Sequence, residues 1–339
     1  MMDHPEIPGH PITPNLIWCK AHMRIAVLSG GLNAERDISL RSGRRVAEAL
    51  RVSMPDAEVV EVDLNGEFLD SLGSATGMKS FDVVVPLIHG VIGEDATLRS
   101  MLELKGIPFV GSSAEGAARS FDKGVASGLV PHGSAPKFVA FPQSFFREMG
   151  APRILDTVIA GIELPLVVKP ISGGSALGVS LCTEVQQVAP ALVDAFGYGD
   201  RVMLQCAVSG TELAVTVLDV GGKITALPPV EIVPLSGVYD FDARYTAGAT
   251  EFFVPSRLSP EVVERVCDYA IAVHESLGLR DISRTDLIVD SDGVIWFLEV
   301  NIAPGMTETS LVPQAIEAAG LRVGGVFADL VTQAVARAN

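Results

Sequence analysis

Arg284-Thr-Asp286 and Glu299-Val-Asn301, joined through the turn Ser291-Asp292-Gly293, carry the strongest local signal in the chain. Alternate residues of a strand point to one face, so Glu299 and Asn301 share a side. A turn of this length folds the preceding strand back and puts Asp286 near the level of Glu299. Placement on the same face depends on a bulge in the hairpin and is an expectation. Two carboxylates and an amide oxygen on one surface suit a hard cation, above all Mg²⁺. The competing reading is a solvated acidic hairpin face. The apolar run Val294–Leu298 leading into Glu299 weighs against it.

Downstream, Pro304-Gly-Met-Thr-Glu-Thr-Ser310 leaves this strand through a Pro-Gly turn. Its backbone N–H groups suit an anion or oxyanion. Equally, it reads as an ordinary strand-to-helix loop with Thr309 or Ser310 as N-cap. Upstream, Leu164–Lys169 and Val179–Cys182 are strand-like and flank Ser172-Gly-Gly-Ser-Ala-Leu-Gly178. Glycines let backbone N–H groups approach phosphate oxygens, and small residues favour a mobile lid. The loop lacks the Gly-Lys-Ser/Thr ending of a Walker A motif, and a flexible hairpin tip is the alternative. Glu212–Leu218, Ile224–Pro228 and Val230–Val233 read as further strands, and Pro260–Leu277 as an amphipathic helix. A last helix includes Ala328–Val335.

The N-terminal third differs. Arg24–Ser29, Glu58–Val62, Val83–Leu87 and Ile107–Val110 are short apolar strands, with helical spacing at 34–51 and Leu98–Leu104 between them. That alternation predicts a doubly wound parallel sheet. Gly30-Gly31 lacks the GxGxxG spacing of a dinucleotide site, which weakens a nicotinamide-dependent reading. Glu35 opens the next helix, either as a dipole partner or as a ligand. His89, in His89-Gly-Val-Ile-Gly-Glu-Asp95, lies at the ligand-facing end of the sheet, either touching substrate or merely hydrogen-bonded. The predicted organisation is an extension at 1–22, an α/β domain at 23–120 and two mixed α+β domains at 121–204 and 205–339. Four prolines in the extension and the absence of a basic-then-apolar start read as disorder rather than a signal peptide.

Acidic residues number 41 against 25 basic ones, for a net charge of -16, which excludes a phosphate-backbone binder. No apolar run is long enough to span a membrane. Cys19, Cys182, Cys206 and Cys267 form no CxxC pair and read as reduced cytoplasmic thiols. Only seven basic residues are lysines, Lys123 and Lys169 among them.

In order, these segments resemble the D-alanine–D-alanine ligases of the ATP-grasp superfamily. The resemblance rests on Gly30–Leu40, His89–Asp95, Phe121-Asp-Lys123, Val167-Val-Lys-Pro170, Tyr239-Asp-Phe-Asp-Ala-Arg-Tyr245, Arg284-Thr-Asp286 and Glu299–Thr307. It implies an ATP-grasp fold and ATP-dependent joining of two D-alanines through an acyl phosphate, for peptidoglycan precursors. It also implies two Mg²⁺ (or Mn²⁺) ions on Asp286, Glu299 and Asn301, a homodimer and a cytoplasmic location. Lys123 and Lys169 would hold the ATP phosphates, with Ser172, Gly174 and Arg244 beside them. Gln205 and Val208 would take the adenine, and Glu212 the ribose. Glu35 would bind the first ammonium, linked to Ser175 and Tyr245. Arg284 and the Gly305 N–H would face the oxyanion, and His89, Ser310 and Leu311 the substrate. The sequence departs from the family pattern at Gln205, usually Glu, and at Arg244, commonly Lys. The alternatives are a ligase of the same mechanism with another second amino acid, and a catalytically weak nucleotide-binding paralogue.

Overall fold

The computed structural model describes residues 23–33, 35–72, 80–131, 135–235, 237, 239, 243, 244, 246 and 248–338. The extension at 1–22 and Tyr245 lie outside the described residues.

Strands β1 (Arg24–Gly30), β2 (Glu58–Leu64) and β3 (Val83–Pro86) form a parallel sheet in the order β2-β1-β3. β3 and the middle of β1 are fully buried, so they read as unbroken apolar runs, as strands covered on both faces must. The helices of this region are α1 (Arg36–Ser53), α2 (Gly66–Ser71), α3 (Val91–Glu94), α4 (Ala96–Leu104) and α5 (Ala114–Phe121). The strand expected at 107–110 is reduced to one parallel bridge, Val84 to Phe109. Pro108 has no N–H to extend the ladder, and Gly111, at φ +106, turns the chain away.

Helix α6 (Lys123–Leu129) leads to a second sheet. Its strands are β4 (Phe138–Pro142), β5 (Leu166–Pro170), β6 (Ser180–Cys182) and β7 (Arg201–Cys206), in the order β4-β7-β5-β6. All its pairings are antiparallel. Helices α7 (Gln143–Met149), α8 (Ala151–Gly161) and α9 (Val185–Ala195) belong to this unit. Leu166, Val168, Val202 and Leu204 enter a core with Val188 and Leu192 of α9. By the period of two, Val167, Lys169 and Gln205 point the other way.

The third sheet contains β8 (Thr211–Val220), β9 (Lys223–Ala226), β10 (Val230–Pro234), β11 (Thr250–Phe253), β12 (Ile282–Val289) and β13 (Ile295–Asn301). Its order is β11-β10-β8-β12-β13, with β9 on β8, antiparallel throughout. Helix α10 (Pro260–Ser276) lays Val266 and Ala270 against Leu213, Val215 and Leu287. The opposite face shares one core with the parallel sheet, filled by α1, α11 (Leu311–Ala318) and α12 (Val323–Ala338). The backbones of α1 and α12 meet so closely that a Cβ on Gly324 would fall 2.4 Å from the Ala49 carbonyl oxygen. Asp281, fully buried at φ +67, ties these parts together. It accepts from the Gly111 N–H at 2.6 Å, Gln333 Nε2 at 3.0 Å and Arg337 Nη2 at 2.7 Å. Among the described residues no helix is long and apolar enough to cross a membrane.

Candidate active site

The β12–β13 hairpin has the register the spacing predicts. Asp286 lies opposite Glu299 and Arg284 opposite Asn301, with the register slipping between Asp286 and Leu287. That bulge brings the carboxylates level. Arg284 grips Asp286 through Nε at 2.7 Å and Nη2 at 2.8 Å, a fork that fits a carboxylate. Burial opposes the guanidinium charge, but Asp286 and Glu299 keep its pKa above the ordinary arginine value. Lys123 Nζ lies 3.1 Å from Glu299 and donates to the Gly173 carbonyl at 2.7 Å. Burial would push the Glu299 carboxyl up, but Lys123, Arg244 and Lys169 hold it well below the usual carboxylate range. Burial, then the neighbouring Lys123 charge, lowers Lys169 to about 8.

Asp286, Glu299 and the Asn301 amide offer only hard oxygen donors. Mg²⁺ takes one or two carboxylates and completes its shell with water and substrate phosphates, so this set fits it. Among the described residues no group of three or more His, Cys, Asp or Glu could hold a metal alone. A cation here would complete its shell with water or substrate oxygens.

The glycine loop reaches over the hairpin toward α1. Ser175 and Ala176 are left-handed, at φ 56 and 55. Ser175 Oγ donates to Glu35 Oε1. A Cβ on Gly174 would stand 3.6 Å from Glu35 Oε1 and 3.8 Å from Glu94 Oε1, so both carboxylates face the loop. Burial raises the Glu35 carboxyl, and the Ser175 bond opposes that shift. Burial, then Glu35, raises Glu94 to about 7, although the Gly90 N–H bonds its Oε1 at 2.9 Å.

Two cavities meet here. One, of about 370 Å³, is lined by Glu35, His89, Glu94, Ser175, Arg284, Asn301, Gly305, Ser310 and Leu311. The other, of about 490 Å³, is a slot between the second and third sheets. Lys123, Lys169, Ser172, Gln205, Val208, Glu212, Asp286 and Glu299 line it, with Val167, Leu181, Ile288 and Leu298 as apolar walls. Gly174, Tyr239 and Arg244 line both. Every described residue singled out from the sequence therefore borders one cavity or the other. Ser310 precedes α11 without a side-chain cap bond, and its Oγ accepts from the Thr307 N–H at 3.0 Å.

His89 is fixed on both ring nitrogens, Nε2 3.1 Å from Ser42 Oγ and Nδ1 2.9 Å from the Ala303 carbonyl. Burial lowers it to about 4, so its ring is a neutral wall. Burial, against the pull of Arg244, raises Glu212 to about 7. Tyr239, Glu94 and Arg41 also line the first cavity, though the sequence reading gave them no role. Tyr239 carries the Arg244 guanidinium 4.6 Å above its ring. Its signal in the sequence is its place at the head of Tyr239–Tyr245, the segment that also carries Arg244.

The family model described as "D-ala D-ala ligase C-terminus" matches residues 134–335, more than half of the chain. The chain belongs to the D-alanine–D-alanine ligase family. A curated D-alanine--D-alanine ligase of Anaeromyxobacter dehalogenans is 40% identical over 307 residues, covering 91% of this chain and 94% of the relative. Among solved ligase structures, D-alanyl-alanine synthetase A from Vibrio cholerae superposes with a TM-score of 0.79 at 28% identity, over 94% of this chain and 99% of that one. The Bacillus anthracis ligase complexed with ATP superposes with a TM-score of 0.74 at 27% identity, over 93% and 98%. These are ATP-grasp enzymes, and the parallel sheet followed by two antiparallel sheets is the family's architecture.

Proposed function

We propose that the chain joins two D-alanines into D-alanyl-D-alanine at the expense of ATP, for peptidoglycan precursors. In this reading it works in the cytoplasm as a homodimer. The observation that carries the reading is the junction of the two cavities. An amino-acid-sized chamber opens onto a nucleotide-sized slot beside the Asp286–Glu299 pair, with Gly174, Tyr239 and Arg244 in both walls.

The apolar walls of the slot suit a base, and Gln205 and Val208 lie at that end. Glu212 is placed to accept from ribose hydroxyls. Lys123, Lys169 and Arg244 face the phosphates, and the loop carrying Ser172 and Gly174 covers them. Asp286, Glu299 and Asn301 would hold two Mg²⁺ (or Mn²⁺) ions, which supply charge neutralisation for phosphoryl transfer. In the chamber, Glu35 takes the first ammonium, with Ser175 linking it to the loop; by resemblance to the family, Tyr245 would join that link. The first carboxylate attacks the γ-phosphate, its bond to ADP breaks and ADP leaves, and the carboxylate becomes an acyl phosphate, a far better acylating group. The second amine attacks that carbonyl, and phosphate leaves. Arg284 and the Gly305 N–H offset charge on the tetrahedral oxygen, a donor of this kind being worth about 3–4 kcal/mol. Ser310, Leu311 and the His89 wall position the second amino acid. Closure of the Ser175 loop excludes water that would otherwise hydrolyse the acyl phosphate.

Incubation with ATP, Mg²⁺ and D-alanine tests this directly. Phosphate and dipeptide are expected in equal amounts. Phosphate release only when another D-amino acid is added would select a different second substrate. No release with any D-amino acid would reject the ligase reading.

A further inference from the structure

The loop that follows β13 is held from outside the chamber as well as from within it. His89 Nδ1 meets the Ala303 carbonyl, which can only accept, so that nitrogen carries the ring proton. The buried ring is neutral, which leaves Nε2 as an acceptor. Ser42 Oγ, 3.1 Å away, therefore donates to it, and its lone pairs accept from the Met306 N–H at 3.1 Å. The chain of donors runs one way, from Met306 to Ser42, from Ser42 to His89 and from His89 to Ala303. It closes on the backbone at Ala303 and Met306, so it brackets the peptide of Gly305. Beside it, Arg45 Nη1 donates to the Thr307 carbonyl at 2.6 Å and to the Met306 carbonyl at 3.3 Å.

Ser42 and Arg45 are three apart on α1 and share a face. That helix is seated firmly on β1, where a Cβ on Gly43 would fall 2.5 Å from Ser29 Oγ. Ser42 is fully buried, and neither it nor Arg45 lines the chamber. The segment they hold has little slack. The Ala303 N–H donates to Asn301 Oδ1 at 2.9 Å, and a Cβ on Gly305 would stand 2.9 Å from Ser310 Oγ. Among the described residues lining the nucleotide slot, none comes from 303–310. Loosening this segment therefore changes the aim of the Gly305 N–H and leaves the slot walls in place.

We propose that Ser42 and Arg45 are positioning residues for acyl transfer, holding the Gly305 N–H where the tetrahedral oxygen forms. The proposal rests on the ligase reading of the site. Charge gathers on the carbonyl oxygen when the second amine adds to the acyl phosphate, and an N–H aimed there contributes only then. The earlier transfer of the γ-phosphoryl group does not use it.

Ser42→Ala, made in the full chain and supplied with MgATP and D-alanine, separates the two steps. ATP labelled with heavy oxygen in its β–γ bridge reports phosphoryl transfer, because the label spreads to the other β oxygens whenever the acyl phosphate forms and reverts. Dipeptide formation is expected to fall at least about tenfold, as misplacement of a reacting geometry commonly costs that much or more. Scrambled ATP per dipeptide is expected to rise at least about tenfold over the natural chain. A dipeptide rate within about threefold of the natural chain overturns the proposal. So does a lower rate with an unchanged ratio, which is what a smaller folded fraction would give. Should Ser42→Ala fail to fold, Arg45→Met, at a partly exposed position, is expected to raise the ratio at least about threefold, and a level ratio overturns the proposal. A natural chain that releases no phosphate with D-alanine would reject the ligase reading and this inference with it. A natural chain that makes dipeptide, beside variants with a level ratio, would reject this inference alone.

Discussion

The four-stranded sheet closes a core of its own, from Leu166 and Leu204 to Val188 and Leu192, whereas the parallel and six-stranded sheets share a core between their facing sides. The latter two are further pinned by the buried Asp281 node. The four-stranded unit also meets that body through polar contacts. Ser175 bonds Glu35, Lys123 beside Gly173 pairs with Glu299, and Arg201 pairs with Asp122. The amino-acid chamber is mostly walled by the shared-core body, but the nucleotide slot lies between the body and the separate unit. Separate cores let one piece move without unpacking the other, and that suits a site that must admit ATP and then exclude water.

The largest expected effect breaks the body. Asp281→Ala leaves Arg337 and the Gly111 N–H without their partner and puts a left-handed φ on alanine. It should cost about 4 kcal/mol in denaturant unfolding. A loss under about 1 kcal/mol would mean the node does not hold the two sheets together.

Leu192→Ala probes the other side. Removing a fully buried leucine should cost about 3 kcal/mol, felt in the four-stranded unit alone. Hydrogen exchange should quicken in β5 and β7 while β1 and β12 keep their protection. Equal quickening everywhere would show one cooperative unit and erase the contrast.

Glu94 sits where the body faces the loop. Its carboxyl is raised from the ordinary 4.5 to about 7 by burial and Glu35. The stability this group contributes is therefore full below pH 4.5 and is lost as pH rises through 7. Glu94→Gln keeps an acceptor for the Gly90 N–H and carries no charge. It should match the natural chain at pH 4.5 and exceed it by about 3 kcal/mol at pH 8. A constant difference across that range would contradict the assigned cause.

The smallest effect concerns the contact between the two pieces. Ser175→Ala removes the bond to Glu35, a charge-assisted contact worth about 1.5 kcal/mol, so KM for D-alanine should rise about tenfold. An unchanged KM would separate loop closure from this bond.

Much of this was legible in the sequence because it is local. The two-residue period placed Glu299 beside Asn301, and the Ser291–Gly293 turn length placed Asp286 opposite Glu299. The loop at 172–178 announced itself by composition. The shared core was not legible, since periodicity shows that α1 and α12 have apolar faces but not that they meet each other. The strand at 107–110 failed on Pro108, whose missing N–H matters only once its neighbour is known. Tyr239 and Glu94 gain their places from the approach of distant segments, Arg244 over one and Gly174 against the other.

In the proposed reaction Asp286 and Glu299 stand where the two cavities exchange a phosphoryl group. Single-turnover phosphate release by Glu299→Gln, with ATP, Mg²⁺ and D-alanine saturating, tests it most directly. The rate should fall at least about a hundredfold, as expected when a metal-holding charge is removed from a phosphoryl-transfer site. A rate within about threefold of the natural chain, less than 1 kcal/mol of barrier, would contradict it.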